Sequence, residues 1–236
     1  MVRRAIRFVA SKLGYEVHKA AWFGPHSKLE VMRRIGINFV LDVGANDGVY
    51  AADLRRHGFK GKIWSYEPMR EAFRKLERAS AGDQLWKAIN CGCGARKGTA
   101  EFNVSKNSYS SSLLPMLEMH RANAPEAEYV SKESVSICTL DESVMPHLGS
   151  DDRLWLKIDT QGYEGEVLKG AERLMPRVEA LECELTLVPL YEGQLLIDEM
   201  LRVIYRMGFR MVGLSPVFFE PGTSYILQVD GTFVRA

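Results

Sequence analysis

Residues 39–48 read Phe39-Val40-Leu41-Asp42-Val43-Gly44-Ala45-Asn46-Asp47-Gly48, an apolar run that breaks at one glycine and turns through an acid to another. A strand ending this way brings bare backbone N–H groups to the C-terminal edge of a sheet, where open α/β folds bind their ligands. A dinucleotide fold would carry G-x-G-x-x-G here, its second glycine letting the backbone approach a pyrophosphate. Asn46 holds that place instead, and Asp47 follows it. Negative side chains beside the turn repel a diphosphate. They suit a ligand with a cationic centre, an amino group and ribose hydroxyls, which makes Asp42, Gly44, Ala45, Asn46, Asp47 and Gly48 candidate cofactor contacts.

Downstream, Lys62-Ile63-Trp64-Ser65-Tyr66 reads as a second strand that ends in Glu67-Pro68. A carboxylate closing the second strand of a βαβ unit can accept hydrogen bonds from both ribose hydroxyls. Pro68 stops the strand. The same glutamate could merely complement the dipole of the helix that follows, but its distance from the glycine turn favours a cofactor role. S-adenosylmethionine has the required groups and is the expected cofactor, with Glu67 and Pro68 at its ribose.

Outward from this pair, strand and helix signals alternate almost to the end of the chain. Core strands are expected at 38–43, 62–67, 85–89, 154–159 and 180–185, and helices at 25–35, 50–56, 69–79, 165–174 and 194–207. Segments 99–104 and 134–138 alternate like edge strands and flank a Ser-rich, proline-broken stretch from 105 to 129. Such long excursions usually carry function or disorder. The last strands, 209–214 and 225–229, are joined by a loop too short for a crossover helix, so they must form an antiparallel hairpin. The expected fold is α/β: a mostly parallel seven-stranded Rossmann-like sheet of the class I methyltransferase type, with an antiparallel final hairpin and helices on both faces. Residues 1–35 are expected to form a helical extension, and 36–236 one catalytic domain.

Composition agrees with one α/β domain: 236 residues, 46% hydrophobic, 26% charged and formal net charge +1. No apolar run approaches the ~20 residues of a membrane helix, and a signal peptide's apolar core and cleavage site are missing from the N-terminus. A cytoplasmic protein is expected. Cys91, Cys93, Cys138 and Cys183 form no C-x-x-C pair, and no histidine is spaced to complete a zinc site, so reduced and mostly buried thiols are expected. Residues 1–34 carry eight Lys or Arg against Glu16 and Glu30. Val2, Ile6, Val9 and Leu13 fall on one helical face, so 2–13 reads as a basic amphipathic helix. An edge helix with a solvated basic face is the preferred reading, and peripheral contact with anionic membrane the other. Nothing downstream extends this patch toward nucleic-acid binding.

Over roughly residues 36–230 the chain resembles the FkbM-type S-adenosylmethionine-dependent methyltransferases. The resemblance rests on 41–48, on Tyr66-Glu67-Pro68, on Ser110-Ser111-Ser112-Leu113, on Glu184 with Pro189-Leu190-Tyr191-Glu192-Gly193, and most specifically on Leu156-Lys157-Ile158-Asp159-Thr160-Gln161-Gly162-Tyr163-Glu164. It implies methyl transfer to oxygen, commonly on sugars or polyketide-like products. It also favours a ligand-binding role for Ser111 and its neighbours, which could donate to the cofactor carboxylate or to a hydroxylated substrate. The chain departs from the family at Asn90-Cys91-Gly92-Cys93-Gly94, on the adenine side, where small aliphatic residues are usual; Asn90 is the candidate contact there.

The chemistry can be argued without the resemblance. Asp159 and Glu184 close neighbouring strands, which lie about 4.8 Å apart, so the two carboxylates can meet over the cleft. Mutual repulsion and burial then raise the pKa of one, and a base poised to take the proton of an attacking hydroxyl results. The same pair could hold Mg²⁺, which ranks lower because only two convincing ligands are visible. Asp159 could instead cap the helix beginning near Glu164, and Glu164 could serve only that helix's dipole. His120, in the excursion, is a further candidate base, weighed against a merely solvated loop histidine. Tyr191 and Trp22 could stack on a sugar. The expected function is O-methylation of a hydroxyl on a sugar, a glycan or glycolipid precursor or a related natural product. The alternative is a non-catalytic cofactor-binding module attached to membrane or a partner through the basic N-terminal helix. A nicotinamide oxidoreductase is disfavoured by Asn46 and Asp47.

Overall fold

The structure is a computed structural model that describes Ala10, Lys12 and residues 25–236. The expected amphipathic helix over 2–13, its membrane contact and the stacking role of Trp22 therefore lie outside the described residues, Ala10 and Lys12 apart.

The chain opens with α1 (Pro25–Ile35), β1 (Phe39–Val43), α2 (Val49–Arg56), β2 (Lys62–Tyr66), α3 (Arg70–Ser80) and β3 (Trp86–Ile89). An excursion follows, made of β4 (Gly92–Cys93), β5 (Gly98–Ser105), α4 (Glu118–Asn123) and β6 (Tyr129–Cys138). The main sheet resumes through α5 (Leu140–Val144), β7 (Leu154–Ile158), α6 (Glu164–Lys169), β8 (Val178–Thr186), α7 (Ile197–Arg206), β9 (Phe209–Phe219) and β10 (Ile226–Arg235).

Seven strands pair in the order β3-β2-β1-β7-β8-β10-β9, all parallel except β10, which runs antiparallel to both β8 and β9. This is the expected Rossmann-like sheet, mostly parallel and finished by an antiparallel hairpin. Every residue of β1 and β7 is buried, as parallel strands covered on both faces require. On one face Val40, Trp155 and Ala180 pack against Leu29 and Met32 of α1 and Ala51 and Leu54 of α2. On the other, Leu41, Leu156 and Leu181 meet Leu140 of α5, Val167 and Leu168 of α6, and Met200 and Ile204 of α7. Helix α7 shows how sequence sets an element: Met200 and Ile204 lie one turn apart on the buried side, and the Glu199 carboxylate accepts the Leu196 N–H over 3.1 Å.

Several boundaries differ from the sequence expectation, three of them in telling ways. The final hairpin is longer, because Ser215 and Pro216, read as loop residues, lie in β9 at the outer edge of the sheet, where a missing N–H is tolerated. Register shifts on β10 absorb the irregularity. The helix after β7 stops at Lys169, and Gly170 follows where the excursion crosses it, a Cβ there lying 2.0 Å from the Gly94 carbonyl oxygen. The stretch 105–129 is no plain loop: it contains α4, and β6 starts at Tyr129 rather than 134.

Candidate active site

The C-terminal ends of β1, β2 and β7 open into one cleft, roofed by the excursion. Gly44, Asn46, Glu67, Pro68 and Asp159 line it, with Tyr66, Met69, Cys93, Phe102 and Leu113 as its apolar wall and Ser108, Tyr109, Ser111, Thr160, Gln161 and Tyr163 as its polar one. Asn46, Ser108 and Gln161 have φ of 47, 62 and 54°, a left-handed backbone uncommon for residues other than glycine. All three line this cleft, which is where strained backbone tends to gather at functional sites. Gly44 is obligatory: its φ is 76°, and a Cβ there would lie 1.8 Å from the carbonyl oxygen of Asp159.

Glu67 is 5% exposed. Its carboxylate accepts the N–H of Asn46 over 2.9 Å and that of Met69 over 2.8 Å. Burial outweighs these bonds and lifts its pKa to about 7. The residues present fit S-adenosylmethionine: a buried carboxylate faces the cleft for ribose, a glycine cradle lies beside it for the amino-acid end, and the apolar wall offers a slot for adenine. Among the described residues no group of three or more His, Cys, Asp or Glu is arranged to hold a metal.

Asp159 and Glu184 do come together, but through an intermediary. The Gln161 amide nitrogen donates to Asp159 Oδ1 over 2.9 Å and to Glu184 Oε2 over 3.1 Å. Gln228 adds a 2.7 Å bond to the same Glu184 oxygen. Burial, then the Asp159, Glu164 and Asp230 carboxylates, push Glu184 well above the usual carboxylate range. Beneath Asp159 lies Lys157, 3.4 Å from it and 3.4 Å from Asp42, with a 2.9 Å bond to the Gly44 carbonyl. Burial pulls the Lys157 pKa down, but the Asp159 and Asp42 charges outweigh it and leave it above the ordinary lysine value.

Other candidates stand behind the lining. Asp42, wholly buried, faces α1 and α2 and accepts from Ser65 over 3.0 Å. Ala45 donates its N–H to the Tyr66 carbonyl, and Gly48 makes room for Leu76 and Trp86. Asp47 accepts from the Tyr109 hydroxyl over 3.3 Å, so the excursion closes onto the turn. Asn90 braces the Glu67 and Pro68 carbonyls. Of the serines, Ser111 lines the cleft while bonding Ser105, and Ser112 donates to the Gln161 carbonyl over 2.7 Å. The cluster is ordered by these bonds.

His120 takes a different place from the one expected, and Asp159 does not take its alternative one. His120 is neither solvated nor on a loop: it sits in α4, 3% exposed, its ring edge-on to Tyr191 at 5.0 Å and 5.5 Å from Phe218. Burial pulls its pKa to about 4. Asp159 caps no helix, because Glu164 secures that turn, accepting the N–H groups of Thr160 over 2.8 Å and Gly162 over 3.2 Å. The residues missed from sequence are Lys157, Gln161 and Tyr191 as members of one polar network. The glycine after Gln161 was the available signal of a tight turn there.

The sequence pattern of the FkbM methyltransferase domain matches residues 42–211. Methyltransferase sdnD of Sordaria araneosa is 27% identical over 156 residues, which span 57% of this chain and 60% of that protein. The match thus covers less than two thirds of that relative's length. Among solved structures, magnesium protoporphyrin IX methyltransferase from Synechocystis PCC 6803 is 12% identical, with a TM-score of 0.47 over 90% of this chain and 82% of that one. An rRNA methylase from Streptococcus thermophilus is also 12% identical, with a TM-score of 0.46 over 90% and 97%.

Proposed function

This chain belongs to the FkbM methyltransferase family, and from that premise we propose that it is an S-adenosylmethionine-dependent O-methyltransferase acting on a hydroxyl of a sugar, a glycan or glycolipid precursor or a related natural product. The observation that carries the reading is that Glu67, suited to a ribose, and Asp159, suited to a hydroxyl proton, line the same cleft.

Bound there, S-adenosylmethionine supplies an electrophilic methyl group on a cationic sulfur. Glu67 would accept from the ribose hydroxyls, and the turn of Gly44 and Asn46 would hold the amino-acid end. Asp159 would orient the acceptor hydroxyl and take its proton as the oxygen bonds to the methyl carbon and the carbon–sulfur bond breaks, with S-adenosylhomocysteine leaving, a contribution of about 10²–10⁴ in rate. Lys157 keeps a positive charge 3.4 Å from that carboxylate. Holding nucleophile and methyl in line supplies much of the remaining acceleration. No step runs through a metal.

The test is Asp159→Asn, assayed with methyl-labelled cofactor against a panel of sugar and polyol acceptors. Turnover should fall by about 10²–10⁴ while binding of S-adenosylhomocysteine persists, and a chelator should leave the unmutated protein active. An Asp159→Asn protein that turns over at the original rate removes the base. Loss of activity in chelator that added Mg²⁺ restores would replace it with a metal site.

A further inference from the structure

Gln161 has every polar atom of its side chain engaged, yet no role in the chemistry above. Its Nε2 divides two N–H donors between Asp159 Oδ1 and Glu184 Oε2. Its Oε1 accepts from the Tyr191 hydroxyl over 2.9 Å. Its carbonyl accepts from Ser112, and its backbone is held at φ 54°. Tyr191 is in turn fixed: it is 1% exposed, its hydroxyl also lies 3.1 Å from the Ser110 carbonyl, and His120 packs edge-on against its ring. We infer that Gln161, locked by the Tyr191 hydroxyl, is a positioning residue that clamps Asp159 and Glu184 side by side as one proton-accepting pair. This rests on the reading of Asp159 as the base.

The direction of the amide carries the argument. A glutamine offers one acceptor and one two-proton donor. Turned over, it would set its oxygen against two carboxylate oxygens and leave neither with an N–H from this side chain. In the observed orientation each carboxylate receives one N–H, and two like charges on neighbouring strands are held together rather than driven apart. Glu184 Oε2 accepts from both Gln161 and Gln228, so a proton taken up by Glu184 must sit on Oε1. The clamp therefore decides which oxygen of the pair remains open to a proton. It also explains a tyrosine buried with its hydroxyl directed at a side-chain amide.

The experiment follows the pair's titration directly, without an acceptor. Carboxyl-¹³C aspartate and glutamate are incorporated, and the resonances of Asp159 and Glu184 are assigned with Asp159→Asn and Glu184→Gln. Their pH titration is compared in the unmutated protein, Gln161→Met and Tyr191→Phe. Gln161→Met should move the upper step of the pair up by at least about one pH unit, the size of an uncompensated neighbouring charge. Tyr191→Phe should move it the same way by less. The other charged groups facing the pair, Lys157 on β7, Glu164 on α6, Asp230 on β10 and Asp42 on β1, stay unchanged, so the shift reports the amide. Titrations superimposable on the unmutated protein in either variant, with cooperative unfolding retained, overturn the clamp. Should Gln161→Met not fold, Tyr191→Phe decides alone. Failure of the base role is seen separately, as full turnover in Asp159→Asn with the titration shift still present.

Discussion

The backbone N–H of Asn46 donates to the Glu67 carboxylate over 2.9 Å, which ties the turn after β1 to the acid after β2. The two halves of the proposed ribose site are thus set by one bond. Because burial holds Glu67 near pKa 7, its charge develops as pH rises through neutrality. Ribose hydroxyls donate more strongly to a charged acceptor. Calorimetric affinity for S-adenosylhomocysteine should therefore climb between about pH 6 and 8, and in Glu67→Gln it should be weaker and flat. The linkage has the opposite sign for the ligand-free fold: a carboxyl raised above its unfolded value costs stability as pH rises from about 4.5 to about 7.

Gly44→Ala forces a Cβ toward the Asp159 carbonyl oxygen at 1.8 Å, so β1 and β7 must part at the cleft. Loss of S-adenosylhomocysteine binding by more than about tenfold and a lowered melting temperature are expected, since sterics and φ strain add. Gly58→Ala is the control. Its φ of 96° carries the same strain with nothing within 4 Å, so it should cost only about 1 kcal/mol and leave binding alone. Equal binding losses in the two variants would count against the steric account.

Lys157→Met strands Asp42, which is fully buried and keeps only the Ser65 bond. Removing one partner of a buried ion pair typically costs about 3–5 kcal/mol, readable as a lower urea midpoint. Adding Asp42→Asn to it should return part of that loss, because the orphaned charge is then gone. A double variant less stable than the single would show that the pair is not coupled in this way.

His120→Phe removes a buried ring whose Nδ1 has no hydrogen-bond partner. The folded pKa of about 4 lies below the ordinary value of 6.5, so the unfolded chain binds the extra proton and stability falls as pH drops from about 6.5 to about 4. The phenylalanine variant should match the original protein at pH 7 and resist unfolding better at pH 5. An unchanged acid dependence would mean that His120 carries its proton in the fold.

The strand ends were legible because each is a local event: an apolar run meeting a glycine, an acid followed by proline, or an acid closing an apolar strand places Gly44, Glu67 and Asp159 without knowledge of any partner. The hairpin partner of β9 was legible for the same reason, its loop being too short for anything else. What surrounds the acids was not. Lys157 sits within the buried strand β7, and its partner Asp42 is far away in sequence. Gln161 meets Tyr191 only because the segments after the paired strands β7 and β8 fold onto one another. His120 looked like a loop residue because α4 has only six residues, too few to show a helical period. Polar residues at the hairpin edge misled for a physical reason: serine and proline mark turns, but an outer strand tolerates them too.

The excursion leaves the main sheet beside the point at which it returns, for Cys93 and Cys138 are register partners in the short parallel pairing of β4 with β6. Between those two cysteines lie Phe102, Ser108, Tyr109, Ser111 and Leu113 of the cleft wall, while the seven-stranded sheet is built entirely from residues on either side. In engineering terms the segment is a cassette with adjoining ends. A relative's version could be grafted across residues 94–137 without re-registering a single strand of the main sheet, provided that the graft keeps the excursion's apolar contacts with Met69, Leu190 and Tyr191.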